Sequence, residues 1–216
     1  MKQIRFRCFS IGNLMTEPKT KAEGLLSVGA KTYIRELAAQ EIFGVDFEAT
    51  SKQMEKGILV EDESIAILNR VRGLILTKNT ERRTNEWITG ECDLYDPVRK
   101  RGHDIKSSWS LQTFPILPSD CHDKRYEWQM RGYMMLWDCD EWSVDYVMTD
   151  TPEHLCKYEP PQMHMVGHIP ERQRVTSWVI QRDLALEAKI KEKVEAAREY
   201  MAAVILEFEQ THGEQK

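Results

Sequence analysis

The stretch WITGECDLYDPVRKRGHDIKS, residues 87–107, decides the fold of this chain. Apolar and polar residues alternate on both sides of Asp96-Pro97. That dipeptide, a charged tip and Gly102 have the composition of a turn between two strands. We therefore expect a β-hairpin over residues 86–109, with a sheet built around it.

The second half of this stretch carries a possible metal site. Asp104 and Lys106 are two residues apart, so on a strand they project from the same face while Ile105 points to the core. If the hairpin closes, Asp93 comes close to that pair. Two carboxylates with the backbone carbonyl of Ile105 between them make the hard-oxygen site that Mg²⁺ or Mn²⁺ prefers, and the lysine would hold or deprotonate a water. A solvated charged hairpin is the alternative, because Asp-x-Lys triplets are common.

Length and composition limit the remaining possibilities. The chain has 216 residues, 41% of them hydrophobic, which is enough for one sizeable core, and we expect a single domain over residues 1–216. No apolar run approaches the length of a membrane span and the start lacks a signal-peptide core, so we expect no membrane partner and a cytoplasmic location. Five scattered cysteines without a C-x₂-C pair favour free thiols.

The net charge of -5 gives no global case for nucleic-acid binding, but basic residues are clustered locally. They fall in residues 1–35, in residues 70–83 and at the hairpin tip with Arg99 and Arg101. Phosphate contacts depend on the local field, so an acidic protein can still carry a basic groove. Solvated surface charge is an equally good explanation of each segment alone.

Apolar spacing predicts four long helices and two further strands. Within the second helix Glu61 lies one turn after Gly57 and is placed to face inward, whereas Asp62 and Glu63 rotate away. The alternative is that all three acids face water. The predicted helices cover residues 28–43, 50–73, 123–137 and 183–211, so that the N-terminal helices span 28–72, and the strands cover 142–148 and 175–180.

Four motifs in this order resemble one family of enzymes. Gly57-x-x-x-Glu61, Gly-x-x-Asp93, Asp104-x-Lys106 and Gln129-x-x-x-Tyr133 resemble the lambda-exonuclease-like (YqaJ viral recombinase) branch of the PD-(D/E)XK nuclease superfamily. The resemblance covers roughly residues 8–210 in order. Two positions depart from the family pattern, Cys92 in place of proline and Asp104 where many members have glutamate. Neither change removes an oxygen ligand.

The resemblance implies an α/β fold with a restriction-endonuclease-like core, in which helices flank a central mixed β-sheet. It implies that Glu61 brings a further carboxylate to the metal and that Gln129, with Tyr133 on the same helix, helps to position DNA. Packing of an amphipathic helix on a sheet remains the alternative for those two residues. It also implies, more weakly, that the hydroxyls of Ser10 and of Ser107 or Ser108 contact a 5′ phosphate.

The function implied is Mg²⁺-dependent 5′→3′ exonuclease activity on linear double-stranded DNA. The resemblance further implies 3′ single-stranded tails, a single-strand annealing protein as partner in phage recombination, and a ring-shaped homo-oligomer, commonly a trimer. A superfamily endonuclease and a catalytically silent DNA-binding or scaffold protein are the alternatives. Three acids beside a phosphate argue against the silent protein, because without a metal they would repel it.

Overall fold

The computed structural model describes residues 4–47 and 50–213. The α-helices are α1 (Ile11–Leu14), α2 (Val28–Phe43), α3 (Lys52–Leu59), α4 (Glu61–Arg72), α5 (Lys124–Trp137), α6 (Glu153–Cys156) and α7 (Leu184–His212). The strands are β1 (Phe6–Arg7), β2 (Arg82–Thr84), β3 (Ile88–Glu91), β4 (Leu94–Asp96), β5 (Arg101–Ser107), β6 (Glu141–Val147) and β7 (Val175–Gln181). Short 3₁₀ turns occupy Cys8–Ser10, Lys21–Glu23, Pro118–Cys121, Pro161–Met163 and Glu171–Gln173.

The strands form two mixed sheets flanked by helices, and this confirms the predicted fold class. The first sheet has the order β1-β3-β2, with β1 parallel and β2 antiparallel to β3. The second has the order β4-β5-β6-β7, in which only β5 and β6 run parallel. The two sheets are joined directly through residues 92–93, between β3 and β4.

The predicted hairpin forms only at its tip, which corrects the expectation of one continuous hairpin over residues 86–109. Leu94 pairs with His103 and Asp96 with Arg101, whereas β3 pairs with β1 and β2. Because both edges of β3 are already occupied, β5 has a partner strand only beyond Asp93. The first predicted strand is therefore divided between two sheets.

The helix predicted over residues 50–73 is two helices that meet at Val60, whose φ of -108° and ψ of 12° are not helical. On the first helix, the buried Lys56 ammonium donates to the carbonyls of Ser108 and Thr149, at 2.6 and 3.1 Å. The second helix packs through Ile67 on the sheet. The two helices contact different parts of the protein. Glu61 is therefore the first residue of α4 and does not lie in the helix that contains Gly57.

Hydrophobic residues pack on both faces of the four-stranded sheet. The larger cluster joins α2, α5 and α7 and includes Trp142 and Val144 of β6, and the smaller one, under α4, includes Val147. Ile105 packs against the smaller cluster, so Asp104 and Lys106 point to the α5 side, as strand alternation predicts. Each fully buried Ile or Leu contributes about 1.5–3 kcal/mol to this arrangement.

The remaining sequence expectations are mostly met. Asp123 and Asp183 cap α5 and α7 through their carboxylates, and α7 covers the predicted closing helix. All five cysteines are free thiols and buried. Residues 163–169 contain the end of a 3₁₀ turn and loops in the described structure. No helix among the described residues has the length and apolar character needed to cross a bilayer.

Candidate active site

The link between the two sheets places Asp93 beside the second half of the motif. Because β4 begins only at Leu94, Ile105 has no strand partner on that side, and its backbone N–H donates to Asp93 Oδ2 at 2.7 Å. In a strand the N–H and C=O of one residue point to the same edge. The carbonyl of Ile105 therefore lies on the side of β5 that Asp93 occupies, where the sequence predicted a ligand.

Asp104 lies at the centre of the cluster, with 2% of its surface exposed. Gln129 Nε2 donates to its Oδ1 at 3.2 Å, and Lys106 Nζ lies 2.7 Å from its Oδ2. The Lys106 ammonium is therefore the group that pairs with the buried Oδ2 of Asp104. Burial raises the pKa of Asp104, and the Lys106 ammonium only partly offsets that rise.

The carboxylates crowd one another. Burial, and then the charge of Asp104, raise the pKa of Asp93 to about 7, and the charge of Glu61 adds to the rise. The charge of Lys106 and the hydrogen bond from the N–H of Ile105 both act to lower the pKa of Asp93. A half-buried acid and a buried acid that repel each other in this way form an environment in which a bound cation would relieve the repulsion.

Lys106 keeps its charge in this environment. Burial acts to lower its pKa, but the Asp104 carboxylate beside it raises the pKa above the ordinary value. The ammonium also lies 4.3 Å from the centroid of the Tyr126 ring and 3.4 Å from Gln129 Oε1. These contacts keep the Lys106 ammonium, which is a hydrogen-bond donor, beside Asp93 and Asp104.

Gln129 and Tyr133 connect the acidic pair to the first sheet. Gln129 Nε2 donates to the Tyr133 hydroxyl at 3.1 Å, and that hydroxyl donates to the carbonyl of Glu91 at 2.8 Å. Both side chains are buried, at 6% and 3% exposure. They contact the carboxylate cluster and the backbone before Asp93, and the prediction that they position DNA stays a prediction.

Glu61 reaches the same region but is paired with a lysine that the sequence analysis placed only within the basic segment 70–83. It forms an ion pair with Lys78, which lies in the extended segment between α4 and β2. The next residue, Asn79, donates from its backbone N–H to the carbonyl of Asp93 at 2.7 Å and from its side chain to that of Cys92 at 3.1 Å. No periodicity or motif marks Lys78, because only the folded path of this segment brings it to Glu61.

The donor chemistry of the cluster fits a hard divalent cation. Asp93 and Asp104 supply carboxylate oxygens, and Ile105 supplies a carbonyl on the side of β5 that Asp93 occupies. Within residues 4–47 and 50–213, no three His, Cys, Asp or Glu side chains are grouped closely enough to hold a metal ion. The third carboxylate, Glu61, is the one engaged by Lys78.

Comparison with solved structures supplies the family. A phage-related exonuclease from Haemophilus somnus 129PT superposes with a TM-score of 0.89 at 40% identity, covering 95% of this chain and 97% of that one. The chain belongs to the lambda-exonuclease-like family of nucleases. An alkaline exonuclease from Laribacter hongkongensis (LHK-Exo) shares the fold of this lambda-exonuclease-like chain, with a TM-score of 0.69 at 16% identity over 96% of it and 92% of that chain. No protein-family model and no curated protein matches the sequence significantly.

The remaining predicted contacts of this lambda-exonuclease-like chain lie outside the acidic cluster. The Ser10 hydroxyl is 2.8 Å from that of Tyr33, and the Ser107 hydroxyl is 3.2 Å from that of Ser64, on the α4 side of the sheet. The Ser108 hydroxyl is buried without a hydrogen-bond partner.

The two arginines of the hairpin tip are also separate from the cluster. Arg99 pairs with Asp96, and Arg101 pairs with Glu141 at 3.1 Å. Because Arg101 and Asp104 are three residues apart on β5, their side chains leave opposite faces of the sheet. Contacts of these arginines and of the three serines with DNA stay predictions.

Proposed function

We propose that this protein is a Mg²⁺-dependent 5′→3′ exonuclease that degrades linear double-stranded DNA and leaves 3′ single-stranded tails, with Mn²⁺ able to replace Mg²⁺. The observation that carries the proposal is the half-buried Asp93 next to the buried Asp104, with the Lys106 ammonium 2.7 Å from Asp104. The family of the chain supports it, because the structure that matches at 40% identity is that of a phage-related exonuclease.

In this proposal Asp93, Asp104, the Ile105 carbonyl and Glu61 are the metal ligands. When bound, the divalent cation lowers the pKa of a water and neutralises charge that develops on the phosphate. Glu61 ligates either directly or through a water. The shorter side chain of Asp104, where many members have glutamate, suits a carboxylate that the N–H of Gln129 already holds in place.

Lys106 positions the attacking water in this proposal and does not act as its base. A general base must be able to give up its proton near the working pH, whereas Asp104 raises the pKa of Lys106 above that of an ordinary lysine. The ammonium instead donates a hydrogen bond to the water and offsets negative charge near the phosphate. Gln129 fixes both partners, because its amide contacts Asp104 and Lys106 together.

The test is digestion of linear duplex carrying 5′-phosphate or 5′-hydroxyl ends, with Mg²⁺ or with EDTA. We expect Asp93→Ala and Lys106→Ala each to lower the rate by at least about 10²-fold, the size of a positioned acid–base or electrostatic contribution. The exposed Lys189, paired with Glu17 away from the cluster, provides the control Lys189→Ala. Undiminished digestion by a folded Asp93→Ala protein would end the assignment.

The two alternatives are separated with the same protein. Closed circular duplex should remain intact, whereas an endonuclease would nick or linearise it. A silent DNA-binding or scaffold protein would bind both substrates and cleave neither.

The biological setting is also part of the proposal. We propose that the protein acts at double-stranded DNA ends in the host cytoplasm, with a single-strand annealing protein in phage recombination, as a ring-shaped homo-oligomer, most simply a trimer. Light scattering after gel filtration tests the ring. A monomer at micromolar concentration would contradict the ring without touching the nuclease assignment.

A further inference from the structure

Two lysines form ion pairs with the acids of the candidate site. Lys106 pairs with Asp104, and Lys78 pairs with Glu61. The motif includes Lys106 but contains nothing at the position of Lys78. The three carboxylates Glu61, Asp93 and Asp104 therefore face two ammonium groups.

The position of Lys78 is set by the backbone of the site itself. Asn79 donates two hydrogen bonds to the carbonyls of Cys92 and Asp93, so the segment that carries Lys78 is tied to the residues that precede β4. The Lys78 side chain is about half exposed, whereas Glu61 is 26% exposed. Its hydrogen bond to Glu61 raises the pKa of Lys78, and Asp93 and Asp62 add to that rise. One ammonium thus lies in the field of three acids.

We infer that the Lys78 ammonium occupies the position beside Glu61 until a metal ion binds there, and that it then binds the phosphate of the substrate. This inference rests on the proposed function, because it takes Glu61 to be a metal ligand. The Lys78 ammonium beside Glu61 Oε2 repels a cation that approaches the same carboxylate, so binding of a metal ion at Glu61 favours displacement of Lys78. Competition for one carboxylate weakens metal binding by the strength of the ion pair.

The second half of the inference follows from the charge balance. When all three acids are ionised and both lysines are charged, the cluster carries one net negative charge, and one divalent cation changes this to one net positive charge. An ammonium released from Glu61 on the exposed side of the cluster is then a ready partner for a phosphodiester. Lys78 would offset the repulsion among the acids before the metal ion binds. After the metal ion binds, it would contact the phosphate of the substrate.

The experiment measures Mn²⁺ binding by isothermal titration calorimetry at low ionic strength, without DNA. We expect Lys78→Gln to bind Mn²⁺ about two- to fivefold more tightly than wild type, the range that an exposed ion pair provides. The matched control is Lys189→Gln, which removes a similar exposed Lys–Glu pair on another face. It should leave Mn²⁺ affinity unchanged.

DNA affinity is measured in the Lys106→Ala background, where cleavage is suppressed, with Mn²⁺ and a 5′-phosphorylated duplex. Adding Lys78→Gln should weaken binding and lower the slope of log K against log salt concentration by about one, the signature of one lost phosphate contact. Tighter metal binding together with weaker DNA binding is the expected result. A lysine with a merely structural role would not move the two affinities in opposite directions.

Three results would overturn the inference. Unchanged or weaker Mn²⁺ binding by a Lys78→Gln protein with wild-type melting temperature would show that Lys78 does not compete for Glu61, and unchanged DNA affinity would remove the phosphate contact. If wild type itself binds no Mn²⁺, the proposed metal site fails, and the inference fails with it. Failure of Lys78 alone is recognised by normal Mn²⁺ binding in both proteins.

Discussion

Gln129 donates a hydrogen bond to Asp104 Oδ1 at 3.2 Å while its own carbonyl oxygen lies 3.4 Å from the Lys106 ammonium. One amide therefore contacts both halves of the Asp-x-Lys pair, and the helix that carries it is fixed by the Tyr133 hydrogen bond to Glu91. We expect a side chain in this position to orient the acidic and basic groups of the candidate site.

We expect Gln129→Ala to reduce nuclease activity by about 10- to 100-fold, the usual effect of removing a group that orients metal ligands. The substitution should lower the Mn²⁺ affinity and the turnover rate. It should have a smaller effect on DNA affinity measured in EDTA. Gln181→Ala is the control, because Gln181 makes an exposed contact to Glu141. If Gln129→Ala instead loses DNA affinity with normal metal binding, Gln129 contacts the duplex and the orienting role is wrong.

The metal-free protein should lose stability as the pH rises toward 7 and above, because of Asp93. Its pKa in the folded protein is about 7, whereas an unfolded aspartate titrates near 3.9. The folded state binds this proton more tightly, so the stability that the proton contributes is fully present below about pH 4 and is lost as pH rises through about 7.

Asp93→Asn provides the measurement, because the amide keeps the shape without the charge. In EDTA, the melting temperature of the variant relative to wild type should increase steadily from pH 4 to pH 8. The exposed Asp140→Asn should show no such trend. A constant difference across this range would mean that Asp93 titrates normally.

Two glycines of the motifs should respond oppositely to alanine. A Cβ at Gly90 would lie 2.8 Å from Tyr133 Cε1 and 2.9 Å from Cys8 Sγ, whereas a Cβ at Gly57 would meet nothing within 4 Å. We expect Gly90→Ala to destabilise the protein by about 1–3 kcal/mol through overpacking. Gly57→Ala, inside α3, should stabilise it by about 0.5–1 kcal/mol.

Urea unfolding of the two proteins checks these values. Gly90→Ala should also reduce activity, because Tyr133 must shift and Gln129 with it. A destabilised Gly57→Ala protein would contradict the expectation and would show that the glycine of this motif has a role beyond helix packing.

The buried Lys56 should be essential for stability and not for chemistry. Its ammonium donates to the carbonyls of Ser108, Trp109 and Thr149, and so anchors α3 to the ends of β5 and β6. Lys56→Met leaves buried carbonyls without donors, at about 1–3 kcal/mol each. We expect a loss of at least about 2 kcal/mol in unfolding free energy.

Lys52→Met is the matched variant, because Lys52 makes a single bond, to the carbonyl of Leu155, at 3.1 Å. It should lose much less stability in the same urea titration. Equal losses in the two variants would show that the three bonds of Lys56 contribute nothing beyond those of a surface lysine.

Local pattern was sufficient for several parts of the site. Strand alternation correctly predicted that Asp104 and Lys106 share a face and that Ile105 turns to the core, because side-chain direction along a strand repeats every two residues. Helical spacing of apolar residues correctly predicted α5 and α7. These features depend on neighbours within a few residues.

The sequence by itself determined which residues are candidates for the site, because acids, a lysine and an amide in a given order limit what a site can do. Only the tertiary structure decided how they meet. The division of the hairpin at Asp93, the break of the helix before Glu61 and the arrival of Lys78 each result from contacts between segments far apart in the chain. Such contacts depend on how strands, helices and charged groups from distant segments pack together. A short window of sequence contains no information about that packing.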